Sequence, residues 1–183
     1  SGTGSSIDVT DTITVGRDAT DSGTLNIGDN PLTVPVETGG VVNAHTTIVG
    51  SNTGAVGAVS VNGAGTQLNL SGLAPNPDNP ADQDGAVLLV GRNGTGTLDV
   101  SNGGAVTISP GSPVGAGLSG GLVIGGSRSN PTGTGDGTVS VDGVSSSITF
   151  SNVNGQAGST QVGRDGTGVL NITNGGTVDA AAQ

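Results

Sequence analysis

Three aspartates in one short stretch are the residues whose type and spacing best suit cation binding. Asp78, Asp82 and Asp84 lie within "NPDNPADQDGA", at positions 76–86. Carboxylate oxygens are hard ligands of the kind that Ca²⁺ prefers. The EF-hand spacing does not fit, because Pro80 stands where the first acidic ligand belongs. Two interpretations therefore stay open, a Ca²⁺ site and a solvated acidic loop.

The remaining chemical motifs are isolated ones. His45 is the only histidine, so a histidine metal site or a Ser-His-Asp triad would depend on one residue. "GAGLSG", from Gly115 to Gly120, has the spacing of a dinucleotide site but precedes a predicted strand instead of joining a strand to a helix. The chain has no Cys, Lys, Tyr or Trp, so thiolate chemistry and the basic and stacking side chains of polysaccharide-cleaving sites are missing. We therefore predict a protein without catalytic activity and without a cofactor, apart from the Ca²⁺ considered above.

Charge and composition restrict the partners. Fourteen acidic residues against four arginines give a formal net charge of −10, which argues against nucleic-acid binding. No apolar run approaches the roughly 20 residues of a membrane-spanning helix, so we expect no membrane insertion. With 37 glycines and one aromatic residue, Phe150, the chain predicts a single domain over 1–183 with a core of small aliphatic side chains.

A three-part unit occurs five times along the chain. Each unit opens with an apolar residue and an anchor glycine, and these glycines are 34, 41, 34 and 38 residues apart: Gly16, Gly50, Gly91, Gly125 and Gly163. A glycine then leads into an alternating segment: "GTLNI", "GAVSV", "GTLDV", "GTVSV" and "GVLNI". A second alternating triplet follows, as in "LNL" at 68–70. The units cover approximately 12–46, 47–87, 88–121, 122–159 and 160–183.

The alternation within each unit is typical of short β-strands that bury one face. No segment carries a helical apolar stripe, and glycine is too frequent for stable helices. The sequence therefore predicts an all-β, right-handed parallel β-solenoid of about five coils, with three short strands per coil and variable loops. Its corners require positive φ angles, which "NGG" at 102–104 and 174–176 supplies. Its narrow interior is expected to hold Val, Ile and Leu instead of rings.

Two stripes of residues follow from stacking the units. Arginine comes directly after the anchor glycine in three of the five units, at Arg17, Arg92 and Arg164. These side chains predict surface ion pairs or a charged contact with a neighbouring chain. The position before the anchor apolar residue should face outward, yet it is apolar in the three central units: Ile48, Leu89 and Val123. This apolar stripe needs a cover, from the long loops or from another molecule, and both stripes are candidates for self-association.

Two segments of the chain carry a family resemblance. "VGRNGTGTLDVSNGGAV" at 90–106 and "VGRDGTGVLNITNGGTV" at 162–178 agree at 11 of 17 positions. They resemble the repeat of autotransporter (type V secretion) passenger regions and of PEP-CTERM-associated bacterial surface proteins. The resemblance implies an extracellular or cell-surface bacterial β-solenoid, often part of an adhesin.

The two ends of the sequence point to self-assembly. "SSIDVT" at 5–10 resembles "SSSITF" at 145–150, the third strand of a unit, and "TVDAAAQ" at 177–183 is another third strand. Open solenoid ends invite pairing with another chain. We therefore expect a non-catalytic extracellular structural protein, a subunit of a head-to-tail fibre or a surface adhesin, whose partners are itself and surface glycans or other cells. The alternative is a carbohydrate-binding or polysaccharide-cleaving β-helix that uses the acidic loop with Ca²⁺.

Overall fold

A computed structural model describes residues 5–28, 39–75, 83–111, 120–127, 134–151 and 158–180. These residues form seventeen strands and no helix, so this part of the chain has no helix long and apolar enough to cross a membrane. The strands stack in three parallel sheets, and the chain visits the sheets in turn. The predicted parallel β-solenoid of about five coils is confirmed.

Each sheet collects one strand from every coil. Sheet A contains β1 (Ser6–Asp8), β4 (Val41–Ala44), β7 (Gln67–Pro75), β11 (Ala105–Pro110), β14 (Ser147–Phe150) and β17 (Thr177–Ala180), and β8 (Gln83–Gly85) pairs antiparallel with β7. Sheet B contains β2 (Thr12–Val15), β5 (Thr46–Val49), β9 (Val87–Val90), β12 (Gly121–Ile124) and β15 (Ser159–Val162). Sheet C contains β3 (Ser22–Gly28), β6 (Val56–Asn62), β10 (Thr95–Ser101), β13 (Asp136–Asp142) and β16 (Thr167–Thr173).

The core is a set of columns in which each inward side chain lies on its counterpart in the next coil. One column in sheet B joins Val15, Val49, Val90, Ile124 and Val162. One in sheet C joins Leu25, Val59, Leu98, Val139 and Leu170. In the middle coils these side chains are 0–2% exposed. At about 1.5–3 kcal/mol for each fully buried aliphatic side chain, the columns are the main source of stability.

Residues with positive φ make the corners between sheets C and A. In the two "NGG" corners Asn102 has φ 52° and Asn174 has φ 50°, and each is followed by a glycine with φ near 87°. Asparagine tolerates a positive φ angle better than most residues do, and glycine adopts it without a steric penalty. The "NGG" corners are therefore where the sequence predicts them.

A serine occupies a corner position that suits glycine. Ser145 has φ 69°, and the equivalent residue in the second coil is Gly65, with φ 80°. Because a side chain costs about 1–2 kcal/mol in the left-handed region, we expect Ser145→Gly to stabilise the fold. Part of that gain is lost to the greater freedom of glycine in the unfolded chain, which leaves about 0.5–1 kcal/mol. Urea denaturation measures it.

The reverse exchange is the control. A β-carbon at Gly65 would lie 3.8 Å from the nearest heavy atom, so Gly65→Ser meets only the backbone strain. We expect it to destabilise by a similar amount. A Ser145→Gly variant that unfolds at lower urea than the parent contradicts this account of the corner.

Candidate functional site

The acidic stretch is only partly inside the described residues. Asp84 lies in β8, opposite Ala74 of β7, and is 3% exposed. Asp78 and Asp82 lie outside the described residues. Within the described ranges there is no group of three or more His, Cys, Asp or Glu residues that could hold a metal ion. The Ca²⁺ site therefore stays a prediction.

The histidine is a corner residue between sheets A and B. His45 separates β4 from β5, and its backbone N–H donates to the carbonyl of Asp11 at 3.0 Å. Its imidazole lies beside the backbone of Gly72, where an added β-carbon would be 3.1 Å from Nε2. Its position fits a packing role at the corner. Of "GAGLSG", only Gly120 is among the described residues.

The arginines follow one edge of the solenoid on alternate coils. Backbone hydrogen bonds align Ser51 with the residue after Gly16, and Arg92 with the residue after Gly50. Serine or glycine thus takes the place of arginine in the coils between. Two strand spacings separate Arg17 from Arg92, which is about 9.6 Å along the solenoid axis. In the last coil, Nε of Arg164 lies 3.5 Å from Oδ2 of Asp165. The Arg164 side chain is 39% and the Asp165 side chain 18% exposed, and a pair in such contact with solvent contributes about 1 kcal/mol or less.

The outward apolar stripe of sheet B is covered within the single chain. Ile48, Leu89 and Val123 are 4%, 1% and 1% exposed, and with Val87 they form a second buried cluster. Sheet B is therefore buried on both faces in the three central coils. The sequence left open whether the chain itself or another molecule covers this stripe. The chain itself covers it, so these side chains do not form a free lateral surface.

Polar side chains form short ladders on the outer surface. Asn43 Nδ2 donates to Oδ1 of Asp8 at 2.6 Å, and Asn69 Nδ2 donates to Oδ1 of Asn43 at 3.0 Å. Near the other end, Asp142 Oδ1 accepts hydrogen bonds from Thr173 Oγ1 at 2.5 Å and from Asn174 Nδ2 at 2.7 Å. These two bonds, the one from Thr173 first, lower the pKa of Asp142. The ladders hold neighbouring coils in register.

The two ends of the described solenoid expose side chains that are buried elsewhere. At the upper end, formed by β15, β16 and β17, Val162 is 46% and Ile172 is 47% exposed. Their column neighbours two coils below, Val90 and Val100, are 0% exposed. At the lower end, formed by β1, β2 and β3, Ile7 is 52% exposed. The two ends of the described structure therefore expose apolar columns and strand edges side by side.

The anchor glycines mark where the next coil fits. A β-carbon at Gly16, Gly50, Gly91 or Gly125 would lie under 3.0 Å from a backbone carbonyl oxygen of sheet C one coil above. Gly163 has the same backbone conformation, with φ 66°, but there the nearest atoms would be 3.5 Å away. Among the described residues, therefore, no sheet C backbone approaches Gly163 as it approaches the other four anchor glycines.

Sequence reasoning identified the ends as strands but not the residues that matter there. Val162, Gly163 and Ile172 belong to the last anchor and the last alternating segment, where the repeat pattern marks them as ordinary inward positions. What distinguishes Val162 and Ile172 is their exposure in the stack, which the repeat pattern does not show. Comparison with protein-family models, with curated proteins and with solved structures gives no match.

Proposed function

We propose that this chain is a non-catalytic structural protein whose solenoid ends join head to tail into a fibre. The observation that supports the proposal most is the exposure of core columns at the upper end, Val162 at 46% and Ile172 at 47%. Apolar side chains at such positions gain about 25 cal/mol per Å² when a further coil buries them. A contact between unlike ends of identical subunits does not close, so it propagates as a filament.

The residues that would meet at the junction are complementary. If β15 and β16 of one copy pair with β2 and β3 of the next, in the register seen inside the chain, Val162 lies over Val15 and Ile172 over Ile27. The outward pair would be Asn171 and Asn26, and amides at adjacent ladder positions donate to one another as Asn69 does to Asn43. These three junction pairs thus repeat kinds of contact already present within the subunit.

The location and the partners of the fibre follow from the resemblance to bacterial surface repeats. A bacterial cell surface or extracellular medium is the setting in which such a fibre would serve as a scaffold or adhesin. Its long sides would then face surface glycans or other cells, and the edge that carries Arg17, Arg92 and Arg164 would face neighbouring fibres. Electron microscopy of the purified chain, with light scattering over a concentration series, tests the assembly itself.

A glycine substitution at the upper end should stop assembly without unfolding the subunit. In the stack, the backbone of Ser22 of the next copy would stand over Gly163, as Val56 stands over Gly16. We therefore expect Gly163→Ala to leave a folded monomer, with about 1 kcal/mol of backbone strain, and to abolish fibres. Fibre formation is measured by light scattering, and folding by circular dichroism.

Gly65→Ala is the matched control, since it adds the same methyl group at a positive φ on the side of the solenoid. It should form fibres as the parent does. If the parent stays monomeric at high concentration, or if Gly163→Ala forms the same fibres as Gly65→Ala, the proposed junction is wrong.

A further inference from the structure

The outer face of sheet C lies within the described residues in all five coils. Along each of its strands alternate side chains point outward, and all of these outward positions are exposed or half-exposed. On sheet B, by contrast, Ile48, Leu89 and Val123 point outward and are 1–4% exposed. The chain therefore covers the outer face of sheet B in its central coils and leaves that of sheet C open to solvent.

The open face carries small side chains that are mostly polar. Its largest apolar members are Val56 and Val169, and it has no aromatic residue. Its charged residues are Asp99, Asp136 and Asp142, and none of the four arginines lies in a strand of sheet C. A surface that is flat and negative is complementary to an extended partner with positive charge and repels a polyanion.

Asparagine and aspartate alternate between two neighbouring columns of this face. In one column they stand in the first, third and fifth coils, and in the next column, two residues further along each strand, in the second and fourth. From the first coil to the fifth the order is Asn26, Asn62, Asp99, Asp142 and Asn171. In these two columns each coil thus presents one amide or carboxylate group, and this group changes column at every rise of about 4.8 Å.

Hydroxyl groups hold two of the carboxylates in place. Ser101 Oγ donates to Oδ2 of Asp99 at 3.1 Å, and Thr173 Oγ1 donates to Oδ1 of Asp142 at 2.5 Å. Both carboxylates lie on strands that are paired on each side, so their backbone is fixed as well. A ligand that binds them therefore orders few groups that are mobile in the free protein, which favours affinity.

We propose that the outer face of sheet C binds an extended polysaccharide of β-1,4-linked amino sugars, which lies across the strands and along the solenoid axis. In such a polymer each sugar is turned over relative to the one before it, so the amino groups alternate between its two edges. It advances per sugar by close to one strand spacing, which is about 4.8 Å. One amino group per sugar can therefore meet one acceptor group per coil, in one column and then in the other. This inference rests on the glycan partner of the proposed function and not on the fibre.

Charge selects the amino sugar among polymers of this shape. A protonated amine donates hydrogen bonds and carries positive charge, and its bonds to carboxylates such as Asp99 and Asp142 are of the stronger, charge-assisted kind. Amide oxygens at Asn26, Asn62 and Asn171 accept from the remaining amines. An N-acetylated polymer lacks the charge, and a polymer of uronic acids would bring like charge to the same carboxylates. Both are expected to bind more weakly.

A pair of aspartate substitutions tests the face. Asp99→Asn/Asp142→Asn replaces each carboxylate by the amide that other coils already carry in the same column, so the fold is preserved. We expect it to weaken binding of a β-1,4-linked glucosamine hexamer about tenfold, measured by isothermal titration calorimetry at a pH where the amines are protonated. Asp8→Asn/Asp179→Asn is the matched control, because it removes the same two charges from the outer face of sheet A. It should bind as the parent does.

Ligand shape provides the second test. Stronger binding of the hexamer than of its N-acetylated form or of a linear polyamine of equal charge, reduced in the sheet C variant alone, supports the inference. Equal binding of the polyamine, or an equal loss in the sheet A control, means that net charge alone attracts polycations, and overturns it. A parent that forms fibres but does not bind the hexamer overturns the inference and leaves the fibre standing. A parent that binds the hexamer but never assembles supports the inference and overturns the fibre.

Discussion

Replacing Gly91 by alanine will destabilise the subunit by about 4 kcal/mol or more, which is the size of effect that a forced backbone shift in a packed core produces. Gly91 has φ 71°, a conformation in which a side chain is strained. In addition, its β-carbon would lie under 3.0 Å from the carbonyl oxygen and carbon of Asp136. Those atoms are held by the pairing of β10 with β13, so coils three and four would have to separate. Urea denaturation of the purified variant measures the loss.

Gly163→Ala separates the two causes. Its φ of 66° imposes the same strain, but the nearest atoms to its β-carbon would be 3.5 Å away. We expect it to cost about 1 kcal/mol in the monomer, measured by urea denaturation at low protein concentration. Equal losses at the two positions would show that backbone conformation, and not the close approach of the next coil, is what the anchor glycines serve.

The anchor glycines are also where the sequence predicted the fold best. An apolar residue followed by glycine, at a spacing of 34–41 residues, has a physical reason at the first four anchors, because the backbone of the next coil passes directly over each of those glycines. The alternation in "GTLDV" is equally informative, since Leu98 and Val100 are 1% and 0% exposed while Asp99 faces outward. The two-residue period of the strands and the glycines that a close backbone approach requires can both be recognised in the sequence.

Features that depend on what covers a strand could not be read in the same way. Thr47 is a polar residue of β5, yet its side chain is 0% exposed and lies in an inward column between Ile13 and Leu88. Its hydroxyl has no hydrogen-bond partner among the described residues, which costs about 1–3 kcal/mol. Burial of the outward apolar position at Ile48 likewise depends on how the rest of the chain covers sheet B.

Phe150 is the exception to the expectation that the interior has no room for rings. It is 1% exposed and continues the column of Ala44, Leu70 and Ile108. Its ring is accommodated because the chain passes it at a glycine: a β-carbon at Gly158 would lie under 3.0 Å from Cδ1 of Phe150. The sequence shows the two residues, but their proximity depends on how the chain returns from sheet A to sheet B.

Phe150→Ala should therefore destabilise the subunit by about 3–5 kcal/mol, through lost burial and the cavity that remains beside Gly158. Phe150→Leu is the control, because leucine already fills the same column at Leu70, and it should cost less than about 1.5 kcal/mol. Thermal and urea unfolding of the monomer measure both. The large difference is expected because coils on either side are fixed by their strand pairing and cannot collapse into the space. A Phe150→Ala variant within about 1 kcal/mol of Phe150→Leu would mean that this part of the solenoid repacks freely, and the rigid column packing inferred for the interior would not extend to the fourth coil.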